Sequence, residues 1–422
     1  MKINAVQLWM AVVVGLLLSG CGSTTPLQPP KKPEIPKVTW DDAQKKQLLS
    51  ILAKDKYMSI CNQQTLYEKV KVSQEPQQMT NMLYVYTKNL ANGCIVNARQ
   101  KEEISGQMTT TYGIYEQKVD ANELIGKLQD RQSIEEILKP YVPQYREFNA
   151  LIVKYHAMER SDKSSSRELR QVRLNIERVK LLKPGLGNNY ALVNIPEFHV
   201  RIVDGSKTCL KMKVITGTKK NKTPIFSENL QYITLNPTWN VPDSIARNEI
   251  IPATLRNPGY LKSHRLEMHH DYNLNSPKLK FNAAEAKDYK GGKGPVPFKF
   301  IEVPSDRNAL GRVKFIFPNQ HSVYMHDTPT KNLFNSKVRA FSHGCIRLGD
   351  PKNMLKYLTE NYTNANYADV KKKYESYKTH HISVSKHLPV HTAYLTTYVT
   401  QDGKLLVFPD IYGYDQTQHL NF

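Results

Sequence analysis

The 422-residue chain is long enough for two domains, and its 40% hydrophobic content and mean hydropathy of −0.53 are ordinary for a globular protein. The charge is not ordinary: 59 Lys and Arg against 38 Asp and Glu give +21. That excess suits an anionic partner such as nucleic acid or an acidic cell-envelope polymer, and equally a basic exported protein with no dedicated polyanion site. No zinc-finger or RNA-binding signature accompanies it, so nucleic acid is set aside as a partner.

In chain order, Lys2 precedes an apolar run from Ala5 to Leu18. The run is too short to span a bilayer comfortably and reads as the core of a secretory signal, residues 1–20. It ends in Leu18-Ser19-Gly20-Cys21, which resembles a bacterial lipobox. The resemblance implies that Cys21 is diacylated and becomes the mature N-terminus, a membrane anchor through lipid chains. The expected location is periplasmic and lipid-anchored, and Gly22-Ser23 without Asp favours the outer membrane over the inner. Residues 21–38 carry five prolines (Pro26, Pro29, Pro30, Pro33 and Pro36) and read as a semi-extended tether.

Helical signals fill 39–186. Thr39-Trp40-Asp41-Asp42 caps a helix over Ala43–Lys56, and spaced apolar residues mark another over 75–90. A helix starts at Ser133 and must stop near Pro140. Pro143 opens a longer one to about Arg160, with Tyr145, Phe148, Leu151, Ile152 and Tyr155 on one stripe. A charged segment leads to a last helix over 167–183, ended by Pro184-Gly185. No catalytic cluster falls here, and His156 reads as a surface or packing residue. In an oxidising compartment Cys61 and Cys94 can pair; two separate buried thiols are the alternative. This domain reads as a scaffold, with envelope protein partners among its roles.

At Asn189 the apolar period changes from about 3.6 to 2. Tyr190–Ile195 begins a strand continuing through His199–Val203, Asp204-Gly205 turns, and Thr208–Ile215 returns. Cys209 shares a strand face with Lys211 and Lys213 and has no evident base. Further strands are expected at 229–235, 297–303, 312–317, 321–326, 391–400 and 404–408, with short helices at 243–249 and 351–360. The expected class is α+β, a mostly helical domain followed by an antiparallel β-rich domain over 187–415. Residues 253–296 are polar, with Gly291-Gly292-Lys293-Gly294, and read as an inserted mobile lid. His264, His269 and His270 fall in it; without neighbouring Cys or a carboxylate second shell they read as solvated rather than metal-binding.

The chemistry concentrates at Ala340-Phe341-Ser342-His343-Gly344-Cys345-Ile346-Arg347-Leu348, downstream of His326-Asp327. A free thiol near pKa 8.5 needs an imidazole partner to become a nucleophile at neutral pH. Papain-like enzymes place cysteine before histidine, the reverse of this order. Sortase-like enzymes have a more distant histidine and lack His-Gly before the cysteine. The pattern of His326 followed by Ser342-His343-Gly344-Cys345-Ile346-Arg347 resembles L,D-transpeptidases with the YkuD-type catalytic domain. Thr223-Pro224-Ile225-Phe226, Asn236–Pro242, Tyr324–Pro329 and Asp410–Asp415 resemble the longer YcbB-like branch, in which 253–296 corresponds to a capping lid.

The resemblance implies cysteine acyl transfer on peptidoglycan stem peptides, giving 3→3 crosslinks and sensitivity to carbapenems. No cofactor or metal is called for. Cys345 is the expected nucleophile and His326 the proton donor and acceptor. His343 assists, Asp327 or a carbonyl beside it orients the imidazole, and the Gly344 and Cys345 N–H groups receive the oxyanion. Arg347 offers a fork for a stem carboxylate. Ser342, Tyr324, Trp239 and Asn240 are candidates for the substrate groove. An L,D-carboxypeptidase and a non-catalytic wall-binding lipoprotein are the alternatives.

Overall fold

The computed structural model describes residues 38–96, 115–161, 164–184 and 187–421. Cys21, the signal segment and all but the last residue of the tether lie outside the described residues. Among the described residues, seven α-helices build the N-terminal region: α1 Asp42–Ala53, α2 Gln64–Ser73, α3 Pro76–Asn92, α4 Ala121–Gln129, α5 Ile134–Leu138, α6 Arg146–Glu159 and α7 Ser166–Lys180. The Asp41 carboxylate accepts from the Gln44 N–H at 2.7 Å, while Gln44 reaches back to the Asp41 N–H. Ser165 and Glu168 close the same capping box on α7. Cys61 and Cys94 are disulfide-bonded, resolving the two readings of that pair. The sequence reading missed α2 and α4, whose apolar stripes are short.

From Val172 to Lys180, α7 is buried on every side. Arg173, Asn175, Glu177, Arg178 and Lys180 are inside together with Val172, Leu174, Ile176 and Val179. Its charges are paired: Glu177 meets Arg173 at 3.0 Å and Lys180 at 3.1 Å, and Arg178 meets Asp415 at 2.7 Å. Buried ions require such partners. Through Asp415, and through Asn175 accepting the Thr396 N–H at 2.8 Å, α7 binds the C-terminal part of the chain to the helical region.

The C-terminal half is built on a mixed sheet of eleven strands. Its principal strands are β1 Asn189–Asn194, β2 His199–Asp204, β3 Lys207–Gly217, β4 Phe226–Asn229, β5 Tyr232–Leu235, β6 Val313–Ile316, β7 Met325–His326, β8 Ile346–Leu348, β9 His380–Ser383 and β10 Pro389–Ala393. They run β9-β5-β6-β7-β8-β3-β2-β1-β10-β4 across the sheet, with Ala340–Ser342 beside β3. Three pairings are parallel, β7 with β8, β1 with β10 and β3 with Ala340–Ser342, so the sheet is not purely antiparallel as expected. The expected single strand over 190–203 is a hairpin. It reverses at Ile195–Phe198, with Phe198 at φ 56, and pairs Asn194 with His199.

Alternation along the strands divides two cores. Tyr190, Leu192 and Val203 pack with the helical region, alongside Leu48, Tyr86 and Phe148. Ala191, Val193, Phe315, Met325, Ile346 and Leu348 face a second core closed by Pro351–Tyr362. The segment read as a mobile lid is a packed cap that begins before 253. Trp239–Asn240, Lys299–Glu302 and Leu266–His269 form a three-stranded sheet over a core containing Val241, Ile251, Met268 and Phe300. Its apolar residues are scattered among lysines, which hides the core in sequence. Among the described residues, no helix is long and apolar enough to cross a membrane.

Candidate active site

Parallel pairing sets Met325 against Ile346 and His326 against Arg347. Met325 and Ile346 enter the second core, so the alternate residues face the other way. Tyr324, His326, Cys345 and Arg347 therefore project from one face of β7 and β8. Lys314, paired with His326 across β6, joins them. The Lys314 ammonium lies 3.7 Å from the Tyr324 ring centroid, and the Tyr324 and His326 rings meet edge to face at 5.6 Å.

His326 is buried, and its Nδ1 is held by the backbone carbonyl of Asp327. Burial, helped by the Arg347 and Lys314 charges, pushes its pKa down to about 3 against the pull of nearby carbonyls. The ring is neutral at pH 7, the form a general base requires. Cys345 is partly buried and its thiol is pushed up by burial, against lowering by Tyr324, Lys314 and Arg347. The site at rest thus holds a thiol and a neutral imidazole on one face of the sheet, with the Cys345 Sγ donating to the Ser322 carbonyl at 3.9 Å and cations near where thiolate charge develops. Arg347 Nε is buried without a hydrogen-bond partner among the described residues.

Several expected roles change. The Asp327 side chain does not orient the imidazole; its carbonyl does. The carboxylate instead accepts from the Arg312 N–H at 2.9 Å and the Thr328 N–H at 2.7 Å, and pairs with Lys331. Gly311 lies directly against it, where a Cβ would come 2.3 Å from Asp327 Cγ. Ser342 lines no groove, because its buried Oγ donates to the Cys345 carbonyl at 2.6 Å. The same Oγ accepts the Gly344 N–H at 3.1 Å, so that N–H is turned into the loop rather than toward an oxyanion. Gly344 earns its place by backbone shape, at φ 120.

His343 does not lie on the thiol. It is exposed and pairs with Glu249 of the cap at 2.8 Å, which raises the imidazole pKa and lowers that of the carboxylate. Trp239 packs against the cap core, and Asn240 is exposed beside it. Cys209 is a free thiol on β3, but it falls at a register shift against β2 and lies beside Tyr357 of the helix Pro351–Tyr362, so simple alternation with Lys211 and Lys213 does not place it. Of the cap histidines, His269 is buried rather than solvated, between the Ser276 carbonyl at 2.9 Å and Glu267 at 3.4 Å. His264 stacks on Tyr260 with centroids 3.9 Å apart.

Comparison with known proteins follows this geometry. Residues 188–370 match the YkuD family of L,D-transpeptidase catalytic domains. The chain is α+β, a helical N-terminal region followed by a β-rich region, within which lie the residues that match this family. A Haemophilus influenzae protein named "Putative L,D-transpeptidase" is 28% identical over 249 residues, 58% of this chain and 48% of the relative. The chain therefore spans about half the length of that relative. Two solved structures also align over 49% of this chain. One is an L,D-transpeptidase from Mycobacterium smegmatis, at 14% identity, 58% of that chain and TM-score 0.21. The other is the Ldtfm–avibactam carbamoyl enzyme, at 10% identity, 50% of that chain and TM-score 0.23.

The sequence reading missed several residues in and around the YkuD region. Lys314 and Glu249 carried no motif. Thr223 and Tyr412 stood inside quoted motifs without a role. The Thr223 hydroxyl donates to the Gly344 carbonyl at 2.8 Å and accepts the Gly217 N–H at 2.8 Å. Tyr412 accepts the Thr223 N–H at 3.0 Å and donates to the Gly217 carbonyl at 2.8 Å. Together they brace the turn that carries Cys345.

Proposed function

We propose that this chain is a lipid-anchored periplasmic L,D-transpeptidase acting through Cys345 on peptidoglycan stem peptides. The observation that carries the reading is the gathering of Tyr324, His326, Cys345 and Arg347 on one face of two parallel strands inside the matched region. Neutral His326 takes the Cys345 proton as sulfur attacks the carbonyl between the third stem residue and a terminal D-alanine. The oxyanion is met by the Cys345 N–H, with Tyr324 and Lys314 beside the sulfur. His326 returns the proton to the departing D-alanine amine, leaving a thioester. An amine of a second stem then attacks, forming the 3→3 amide and releasing the thiol. Arg347, with an unpartnered buried Nε, is the fork for the donor's carboxylate.

The test uses the purified chain. A carbapenem is expected to add one covalent mass to the wild type and none to Cys345→Ala. A tetrapeptide-stem disaccharide is expected to yield 3→3 dimers with release of D-alanine. Tripeptide without dimers would replace this reading with an L,D-carboxypeptidase. Neither adduct nor product would leave a wall-binding lipoprotein.

A further inference from the structure

The floor of the site is cationic: Lys314 and Arg347 flank Cys345, and His343 follows two residues upstream with its pKa raised. That field favours the thiolate and a stem carboxylate, but it repels the other substrate that transpeptidation needs. An amine acceptor is an ammonium at neutral pH. The cap brings one carboxylate to the edge of this floor: Glu249, in the π-helical turn Ala246–Ile250, held against His343. Its Oε1 contacts His343 Nε2 at 2.8 Å, its charge is felt at Arg347, and its side chain is 49% exposed. A carboxylate can accept further donors beyond that one contact.

We propose that Glu249 is a specificity-determining residue of the amine-acceptor site. It draws the protonated amino group of an incoming stem to the Cys345 thioester, and so divides the acyl group between amine and water. The proposal rests on the transpeptidase reading above. The chemistry balances as follows. The docked ammonium gives one proton to water, and the neutral nitrogen attacks the thioester carbonyl. The C–N bond forms and the C–S bond breaks. A second nitrogen proton passes through His326 to the leaving sulfur, restoring the thiol, and the third stays on the new amide. Water, being neutral, needs no carboxylate to approach.

The test compares wild type, E249Q and E249D as full chains on a tetrapeptide donor with rising concentrations of an amine-bearing stem. Dimer and tripeptide are quantified together, and carbapenem acylation of each variant is measured as the reference. Relative to its acylation rate, E249Q is expected to lower the dimer-to-tripeptide ratio about tenfold, through a higher KM for the acceptor, as fits loss of one charge-assisted contact. E249D restores most of the ratio. With hydroxylamine, neutral at the assay pH, E249Q and wild type partition alike. An unchanged ratio, or a fall in ratio no larger than the fall in acylation, overturns the proposal. Absence of any acyl adduct in wild type overturns the transpeptidase reading itself.

Discussion

Thr223 sits at the junction between the turn bearing Cys345 and the C-terminal segment bearing Tyr412. Thr223→Val removes one hydroxyl and leaves the Gly344 carbonyl and the Gly217 N–H unpartnered. Such losses cost roughly 1–3 kcal/mol each when buried. Because they fall on the turn that aims the nucleophile, carbapenem acylation of Cys345 is expected to slow about tenfold or more. Thr223→Ser should recover most of the rate. If the slowing only tracked the fraction unfolded at the assay temperature, Thr223 would be a stability residue and no more. At this scale the sequence disclosed residue types but not bond directions. Cys345 and His326 were legible because the order and spacing of the motif single them out, and parallel pairing of their strands sets them on one face. The roles of Asp327, Ser342 and Gly344 were not, because carboxylates, hydroxyls and N–H groups can serve either substrate or backbone. Only folded geometry shows that these serve the backbone.

Among the elements, the cap departs furthest from expectation. Its sequence is rich in lysine and glycine, and the residues of its core lie far apart along the chain, so no periodic signal marks it. One strand residue gives it a pH signature. Glu302 pairs with Trp239 and with Leu266, and accepts the Ala309 N–H at 2.9 Å. Burial raises its pKa to about 7, against lowering by that N–H and by Arg265. An acid with a raised folded-state pKa holds its proton more tightly when folded. Its stabilising contribution is present below pH 4.5 and is lost as pH rises through about 7. Urea unfolding of the wild type should therefore weaken from pH 5 to pH 8, more than that of Glu302→Gln, which can still accept the Ala309 N–H. Parallel pH dependence in the two proteins would remove Glu302 as the source. His326 works in the opposite direction: with its pKa depressed to about 3, its contribution is present above pH 6.5 and fades as the solution is acidified.

For the whole molecule, the boundary near residue 187 marks a change of period but not a break in packing. Tyr190, Leu192, Val203, Ala393, Leu395 and Tyr398 from the C-terminal half lie in one core with Leu48, Met79, Tyr86 and Phe148. α7 adds the Arg178–Asp415 ion pair across the same junction, and Ile95–Val96 pairs with His419–Leu420. Sequence periodicity shows which residues alternate but not which partner covers the second face of a sheet, so the shared core was illegible. Its consequence concerns the disulfide. Cys94 donates its N–H to Glu177 at 2.7 Å, and Cys61 Sγ lies 3.8 Å from Arg173, so the bond between them is seated on α7. Closing a loop across a separation of 33 residues removes unfolded-state entropy worth roughly 3–4 kcal/mol. Cys61→Ser with Cys94→Ser should therefore lower the melting temperature by several degrees. Because the core is continuous, the helical signal by circular dichroism and carbapenem acylation of Cys345 should be lost together over one transition. If acylation survived the helical melt in that variant, the C-terminal half would be independently stable and the shared core energetically minor. If the two signals fall together, the helical region is part of the enzyme's folding unit, and the site at Cys345 inherits its stability from a disulfide formed outside the matched domain.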